Sequence, residues 1–144
     1  MDISAHIDFR ISGKNLCFEE INKTLNIKNP TMHKKGEIVK STLESEEDTI
    51  IKEDSWLKGC RIQKKLSLES AVIKFLQPYA EHKDFIAGLS RKYKIVLWIT
   101  LYPEDYQTNI ALSPKALSIL TELNAELAIT YFYLVDIYNG TAFE

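Results

Sequence analysis

The first dozen residues alternate strictly between apolar and polar side chains. This two-residue period predicts a β-strand with one buried face and one solvent-facing face. The pattern stops at Gly13. The apolar positions are Ile3, Ala5, Ile7, Phe9 and Ile11, and the polar ones are Ser4, His6, Asp8, Arg10 and Ser12.

Three later segments show the three- and four-residue spacing of amphipathic helices. The first covers residues 18–26. The second covers residues 66–93 but contains Pro78, and proline costs about 3 kcal/mol inside a helix, so this segment predicts two helices or one kinked helix. The third begins with a Ser-Pro pair at 113–114, where serine caps the helix and proline is tolerated at its first position, and continues through 116–123.

Three further segments predict strands. Residues 55–62 form a weaker candidate, 94–102 are apolar on both faces as in a central strand, and 126–138 are rich in β-branched and aromatic residues. The stretch around 29–36 is punctuated by proline and glycine and predicts a loop. The order of elements predicts an α+β fold, a mostly antiparallel sheet with helices packed on one face and a ferredoxin-like flavour. One domain over residues 1–144 is expected.

The overall composition is that of an ordinary globular protein. The chain has 144 residues, 45% of them apolar and 26% charged, which disfavours disordered and membrane classes. Its longest apolar runs are far shorter than the ~20 residues of a spanning helix, and its start lacks signal-peptide features. The two cysteines show neither metal-ligand spacing nor the density of a secreted scaffold. We therefore expect a cytoplasmic protein without a membrane partner.

The net charge of −2 conceals a strong segregation of charge. Residues 44–54 contain six acids and one lysine, a sum of −5, and residues 95–144 again sum to −5, which leaves +8 elsewhere. An exposed loop or an edge hairpin is predicted for the acidic segment, because it holds few apolar residues. The candidate partner-binding residues are its six acids and the tryptophan that follows, namely Glu44, Glu46, Glu47, Asp48, Glu53, Asp54 and Trp56.

An aromatic set on the last two predicted strands forms a second candidate surface. Trp98 and Tyr102 lie on one side of their strand, and Phe132 belongs to the alternation of the last strand. If the helices cover the opposite face, these side chains form an exposed patch that anchors an interface. If the helices cover this face, they are core residues. Both alternatives stay open.

Little in the sequence indicates catalysis. His6 and Asp8 share the polar side of the first strand, so a catalytic couple is geometrically possible, but polar residues two apart are ordinary on a half-buried strand. A Cys60 nucleophile requires a histidine partner that the sequence does not place beside it. No metal-ligand spacing and no phosphate loop is present. A pI near 6.0 is unlike that of nucleic-acid binders. We predict no catalytic residue, no metal and no cofactor.

A signature lies in the first forty residues. The strand motif F-R-I-S-G at 9–13, followed by Pro-Thr at 30–31 and Lys-Lys-Gly at 34–36, resembles the opening of the bacterial family known as domain of unknown function 4279. Asn26 and Asn124 stand where the family favours glycine, and asparagine is the next best residue for a left-handed helix end. Members of the family resemble small immunity proteins of polymorphic or contact-dependent toxin systems.

The resemblance and the charge together predict a bacterial immunity protein. It would bind a cognate toxin domain, expected to be a nuclease, and block its active site without catalysis or direct contact with nucleic acid. The alternative is a small-ligand-binding or regulatory domain that uses a cleft between sheet and helices. A third hypothesis is a hydrolase built around His6 and Asp8. The oligomeric state is left open.

Overall fold

The alternating N-terminal segment is the central strand of the sheet. The computed structural model describes residues 3–41, 47–64, 66–102 and 110–132. The strands are β1 (Ile3–Gly13), β2 (Thr31–His33), β3 (Ile38–Val39), β4 (Thr49–Ile50), β5 (Asp54–Gln63), β6 (Lys94–Leu101) and β7 (Glu126–Tyr131). The helices are α1 (Phe18–Leu25), α2 (Leu68–Ala80), α3 (Lys83–Leu89) and α4 (Pro114–Leu123).

Five of the strands form one sheet in the order β2-β5-β1-β6-β7. β1 is antiparallel to both neighbours, β5 and β6, and β2 is antiparallel to β5. β6 and β7 are parallel and are joined through α4. The predicted α+β class with a mostly antiparallel sheet is confirmed. The adjacent parallel pair β6–β7 is the feature that distinguishes this sheet from an all-antiparallel ferredoxin-like one.

The core lies between the odd-numbered side of β1 and the helices. Ala5, Ile7, Phe9 and Ile11 are all fully buried, as the alternation predicts. The ring of Phe9 stacks on that of Tyr79 from α2, with centroids 3.7 Å apart. Because the helices cover this side, the even-numbered residues of β1 point to the opposite face of the sheet.

Local capping explains three helix ends, the C-terminal end of α1 and both ends of α4. Asn26 and Asn124 end α1 and α4 in the left-handed conformation, with φ of 51° and 52°, the conformation expected for asparagine at a helix end. The Ser113 hydroxyl accepts a hydrogen bond from the N–H of Ala116 at 3.2 Å and so caps α4. Cys17 precedes α1 but makes no side-chain cap.

The break in the second helical segment lies after Pro78, not at it. α2 continues through Pro78 to Ala80, and α3 starts at Lys83. A proline in the last turn removes a single hydrogen bond, and burial of the neighbouring Tyr79 to 1% exposure holds that turn in place. Of the two predicted alternatives, the structure has two helices and not one kinked helix. The break between them lies between Ala80 and Lys83 and not at Pro78.

The last strand is described only in part. β7 ends at Tyr131, and the N–H of Phe132 still donates to the carbonyl of Leu101 at 2.8 Å, while residues 133–138 of the predicted strand lie outside the described residues. Among the described helices, none is long and apolar enough to cross a membrane.

Candidate functional site

The face of the sheet opposite the helices carries the polar residues of β1. Strand register aligns His6 with Thr100, Asp8 with Trp98, and Arg10 with Val96. Residues in register share a face, so these side chains lie together, away from the Phe9 side. The described helices bury their apolar residues against the opposite face, the side of Phe9. We call this side of β5, β1, β6 and β7 the open face.

Trp98 occupies the middle of the open face and is held by two contacts. Its indole Nε1–H donates to the Thr130 hydroxyl at 2.7 Å. The guanidinium carbon of Arg10 lies 5.4 Å from the ring centroid, a cation–π arrangement. The indole is therefore oriented from both neighbouring strands, and the rigid ring can act as a contact surface.

The second candidate surface thus lies on the open face and not in the core. Tyr102 and Phe132 follow the alternation of Trp98 and Thr130, and their ring centroids are 6.2 Å apart. Phe132 is 47% exposed, whereas Trp98 and Tyr102 are half-buried. Of the two positions that the sequence left open, these side chains take the face away from the helices, and their role in an interface stays a prediction.

The acidic segment belongs to a hairpin. β3 and β4 pair antiparallel, and two backbone bonds of 2.8 Å extend the ladder, from the N–H of Gly36 to the carbonyl of Ile51 and from the N–H of Ile51 to the carbonyl of Glu37. Of the two predicted alternatives, an exposed loop or an edge hairpin, the described part forms a hairpin, but as a two-stranded sheet separate from the five-stranded one. Glu44 and Glu46 lie outside the described residues.

The acids of the segment differ in exposure and in the contacts they make. Glu47, Asp48 and Glu53 are exposed. Asp54 is half-buried, and its carboxylate accepts the backbone N–H of Lys35 at 2.8 Å and that of Leu16 at 3.0 Å. These two bonds, that from Lys35 foremost, lower the pKa of Asp54 below its ordinary value. Asp54 was predicted as a partner contact, but its carboxylate holds together two loops of the protein itself.

Trp56 was also predicted as a partner contact, and the structure corrects this. Its register with Ile11 places it on the helix side of the sheet, where it is fully buried. Its indole Nε1–H donates to the Asn22 side-chain oxygen at 2.9 Å. The ring also meets Tyr79 edge to face, with centroids 6.3 Å apart. Trp56 is a core residue because the strand places it one alternation step away from the open face.

His6 and Asp8 do contact each other on the open face. The His6 Nδ1 lies 3.2 Å from an Asp8 carboxylate oxygen, and the two side chains are 32% and 17% exposed. They lie over Gly59 of β5, where an added Cβ would come within 2.5 Å of Asp8 and 2.8 Å of His6. Glycine thus makes room for the pair. The hydrolase hypothesis gains a contact between its two proposed residues.

The remaining candidates for chemistry are separated from this pair. Cys60 is in register with Ile7, which places its thiol on the other side of the sheet from His6. The His33 Nδ1 lies 3.3 Å from a Glu37 carboxylate oxygen on the exposed turn, and His82 precedes α3 without capping it. In the part of the chain that the structure describes, no group of three or more possible ligands is arranged to hold a metal ion.

A cavity of about 390 Å³ lies between the open face and the hairpin. Residues 49–53 line it from the hairpin side, and Ser12 and Val96 from the sheet side. Both are more than nine-tenths buried although they belong to the open face, because the hairpin covers this end. Sequence reasoning missed the cavity, since Ser12 and Val96 are both 37 or more positions away from the hairpin residues that face them.

The comparisons with known proteins identify a family but no characterised relative. No curated protein and no solved structure matches the chain significantly. The model of the family described as Domain of unknown function (DUF4279) matches residues 3–134. That range includes the F-R-I-S-G strand of β1, the hairpin and the open face through Phe132. Because the match extends over nearly the whole chain, the protein belongs to this family of domains of unknown function.

Proposed function

We propose that the protein is a bacterial immunity protein that binds a cognate toxin domain in the cytoplasm and neutralises it by covering its active site. The observation that carries the proposal is the position of the acidic hairpin at one end of an open, aromatic sheet face. A charged rim beside aromatic anchors is the usual composition of a protein-binding surface.

The charge of the hairpin favours a nuclease as the target. The acidic segment sums to −5, and three of its carboxylates, Glu47, Asp48 and Glu53, are exposed. A nuclease must present a basic surface to bind phosphates. Exposed carboxylates complement such a surface, speed the encounter and oppose binding of its nucleic-acid substrate.

The aromatic side chains supply the apolar part of the proposed interface. Phe132 is the most exposed of the three aromatic residues in the predicted patch, and Trp98 is already held in place by Arg10 and Thr130. A preoriented ring loses little conformational entropy on binding. We therefore assign affinity mainly to the aromatic residues and association rate mainly to the carboxylates.

The first test concerns the carboxylates. The probe is the C-terminal domain of the product of the adjacent upstream gene, and binding kinetics are measured at two ionic strengths. Replacing Glu46, Glu47 and Asp48 by Gln, Gln and Asn should slow association about tenfold at low salt and weaken its salt dependence. In the wild type the Ser41 N–H donates to the Asp48 carboxylate at 2.9 Å. Asparagine at position 48 keeps an acceptor for this N–H, so the hairpin should persist.

A matched control removes the same charge from the helix side. Three exposed acids serve for this control: Glu69 of α2, Glu81 between α2 and α3, and Asp84 of α3. Replacing them by Gln, Gln and Asn should change the association rate far less. Equal slowing in both triple variants would mean that only net charge matters and that the hairpin is not the contact.

The second test concerns the aromatic surface. Phe132→Ala should weaken binding at least tenfold, about 1.4 kcal/mol, mostly through faster dissociation. Leu117→Ala is the matched control, because Leu117 is equally exposed at 48% but lies on α4. If Phe132→Ala binds as the wild type does, or if the domain from the adjacent gene does not bind at all, the proposal fails.

A further inference from the structure

We propose that the cavity between the open face and the hairpin binds a small organic anion, with its carboxylate or phosphate group at Arg10 and its apolar part against Trp98. This goes beyond toxin binding and does not depend on it. The site lies on the face of the sheet opposite the helices, whereas the alternative hypothesis from the sequence was a ligand site in a cleft between sheet and helices.

Arg10 is the main reason for this assignment. Its side chain is half-buried and lines the cavity, and its Nε is buried without a hydrogen-bond partner. Within the described ranges its only specific contact is the cation–π arrangement with Trp98. A guanidinium offers five N–H donors, and leaving buried donors unsatisfied is costly. An oxyanion is the acceptor that matches this planar, charged donor set.

The charge around Arg10 also favours an anion. Lys52 and Lys94 line the same cavity, opposed by the single carboxylate of Glu53. Lys94 has a carboxylate neighbour, Glu126, at 3.6 Å, but both side chains are more than 60% exposed, so that pair is weak. Three cationic groups against one carboxylate on the cavity wall leave a local excess of positive charge.

The remaining lining defines the kind of molecule. Ser12 and Ser55 supply hydroxyls on the sheet side, and Ile50, Val96 and the Trp98 ring supply apolar surface. A volume of about 390 Å³ is within the range of small-molecule sites. A bare inorganic ion would leave the apolar wall unused. The expected ligand is therefore an aromatic or aliphatic carboxylate or phosphate monoester.

Trp98 provides a direct readout. In a ¹⁵N-labelled sample, its indole N–H and that of the buried Trp56 give two signals, which Trp98→Phe assigns. Phenyl phosphate, benzoate, inorganic phosphate and benzyl alcohol are added separately. We expect phenyl phosphate or benzoate to shift the Trp98 signal with saturation and to leave the Trp56 signal unchanged. Which of the two binds more tightly identifies the preferred oxyanion.

The variants test each part of the site. Arg10→Gln should weaken binding at least tenfold, and Lys94→Gln should weaken it about threefold. Glu53→Gln should strengthen it, because a carboxylate is removed from the wall. Arg91→Gln is the control, since Arg91 is exposed beyond the end of α3. Thermal unfolding checks that Arg10→Gln is folded, and Lys94→Gln provides a second test if it is not.

Three results would overturn the proposal. One is a shift that never saturates with either phenyl phosphate or benzoate. Another is equal binding by the wild type and by folded Arg10→Gln. The third is a response to benzyl alcohol, or to inorganic phosphate, as strong as that to phenyl phosphate and benzoate, because the site requires both the oxyanion and the apolar group.

Discussion

Replacing Tyr79 by phenylalanine should stabilise the protein, although Tyr79 lies at the centre of its core. The ring stacks on Phe9 at 3.7 Å and meets Trp56 edge to face, and the residue is only 1% exposed. Its hydroxyl is buried without a hydrogen-bond partner among the described residues. Phenylalanine keeps the ring contacts and removes the unpaired hydroxyl.

The magnitude follows from the cost of an unsatisfied buried hydroxyl. Such a group costs about 1–3 kcal/mol, so Tyr79→Phe should raise the free energy of unfolding by at least about 1 kcal/mol. For a domain of this size that corresponds to roughly 3 °C in Tm. A tyrosine with a partner would behave in the opposite way, since its replacement leaves the partner unpaired.

The same burial gives a pH signature. Loss of hydration raises the pKa of the Tyr79 phenol above its ordinary value of 10.0. Above pH 10 the unfolded chain therefore ionises at this position while the folded protein stays neutral, so stability is full below pH 10 and falls as the pH rises further. Tyr79→Phe removes this contribution, and its advantage over the wild type should grow between pH 9 and about pH 11.

Urea unfolding at pH 7 and at rising pH measures both effects. Tyr93→Phe is the matched control, because the Tyr93 hydroxyl donates to the Asn15 carbonyl at 3.0 Å. That variant should lose stability, by up to about 1 kcal/mol. A loss of more than 1 kcal/mol in Tyr79→Phe would refute the reasoning and show that the Tyr79 hydroxyl has a partner.

Three further outcomes are expected. Phe9→Asp places a charge in the core, where it costs several kcal/mol, so the variant should lose its cooperative thermal transition; a Tm within about 3 °C of the wild type would contradict this. Alanine at His6, His33 and His82 should leave neutralisation of the toxin domain within about threefold, whereas a catalytic role predicts a loss of a hundredfold or more. Asp54→Asn should be less stable than the wild type at pH 7, and urea unfolding should show the gap closing below pH 3.8, because a carboxyl with a lowered pKa stabilises only when ionised.

The helices and the central strands were predictable because their signals are local. The period of β1, the Ser-Pro start of α4 and the asparagines at two helix ends all act through residues a few positions apart. The short strand β2 was missed, since three residues beside proline give no period. It forms only because β5 offers it a pairing edge at Leu57 and Ser55.

The site was less predictable because it depends on register. The polar side of β1 was evident from the alternation, but nothing in the sequence places Trp98 beside Asp8 or Thr130 beside the indole. Trp56 shows the same limit. Two acids precede it at positions 53 and 54, yet the alternation of β5 places it on the helix side and in the core.

Trp98 belongs to both the proposed anion site and the proposed toxin-binding surface, and Arg10 contacts its ring, which links the two proposals thermodynamically. If an anion in the cavity changes the affinity for the toxin domain by some factor, the toxin domain must change the affinity for the anion by the same factor. A carboxylate of the toxin that enters the cavity would compete with benzoate and give negative coupling. A toxin that contacts only Phe132 and the hairpin tip would leave the cavity accessible and give no coupling. Titrating phenyl phosphate or benzoate against the preformed complex distinguishes these two docking geometries, whichever toxin the protein binds.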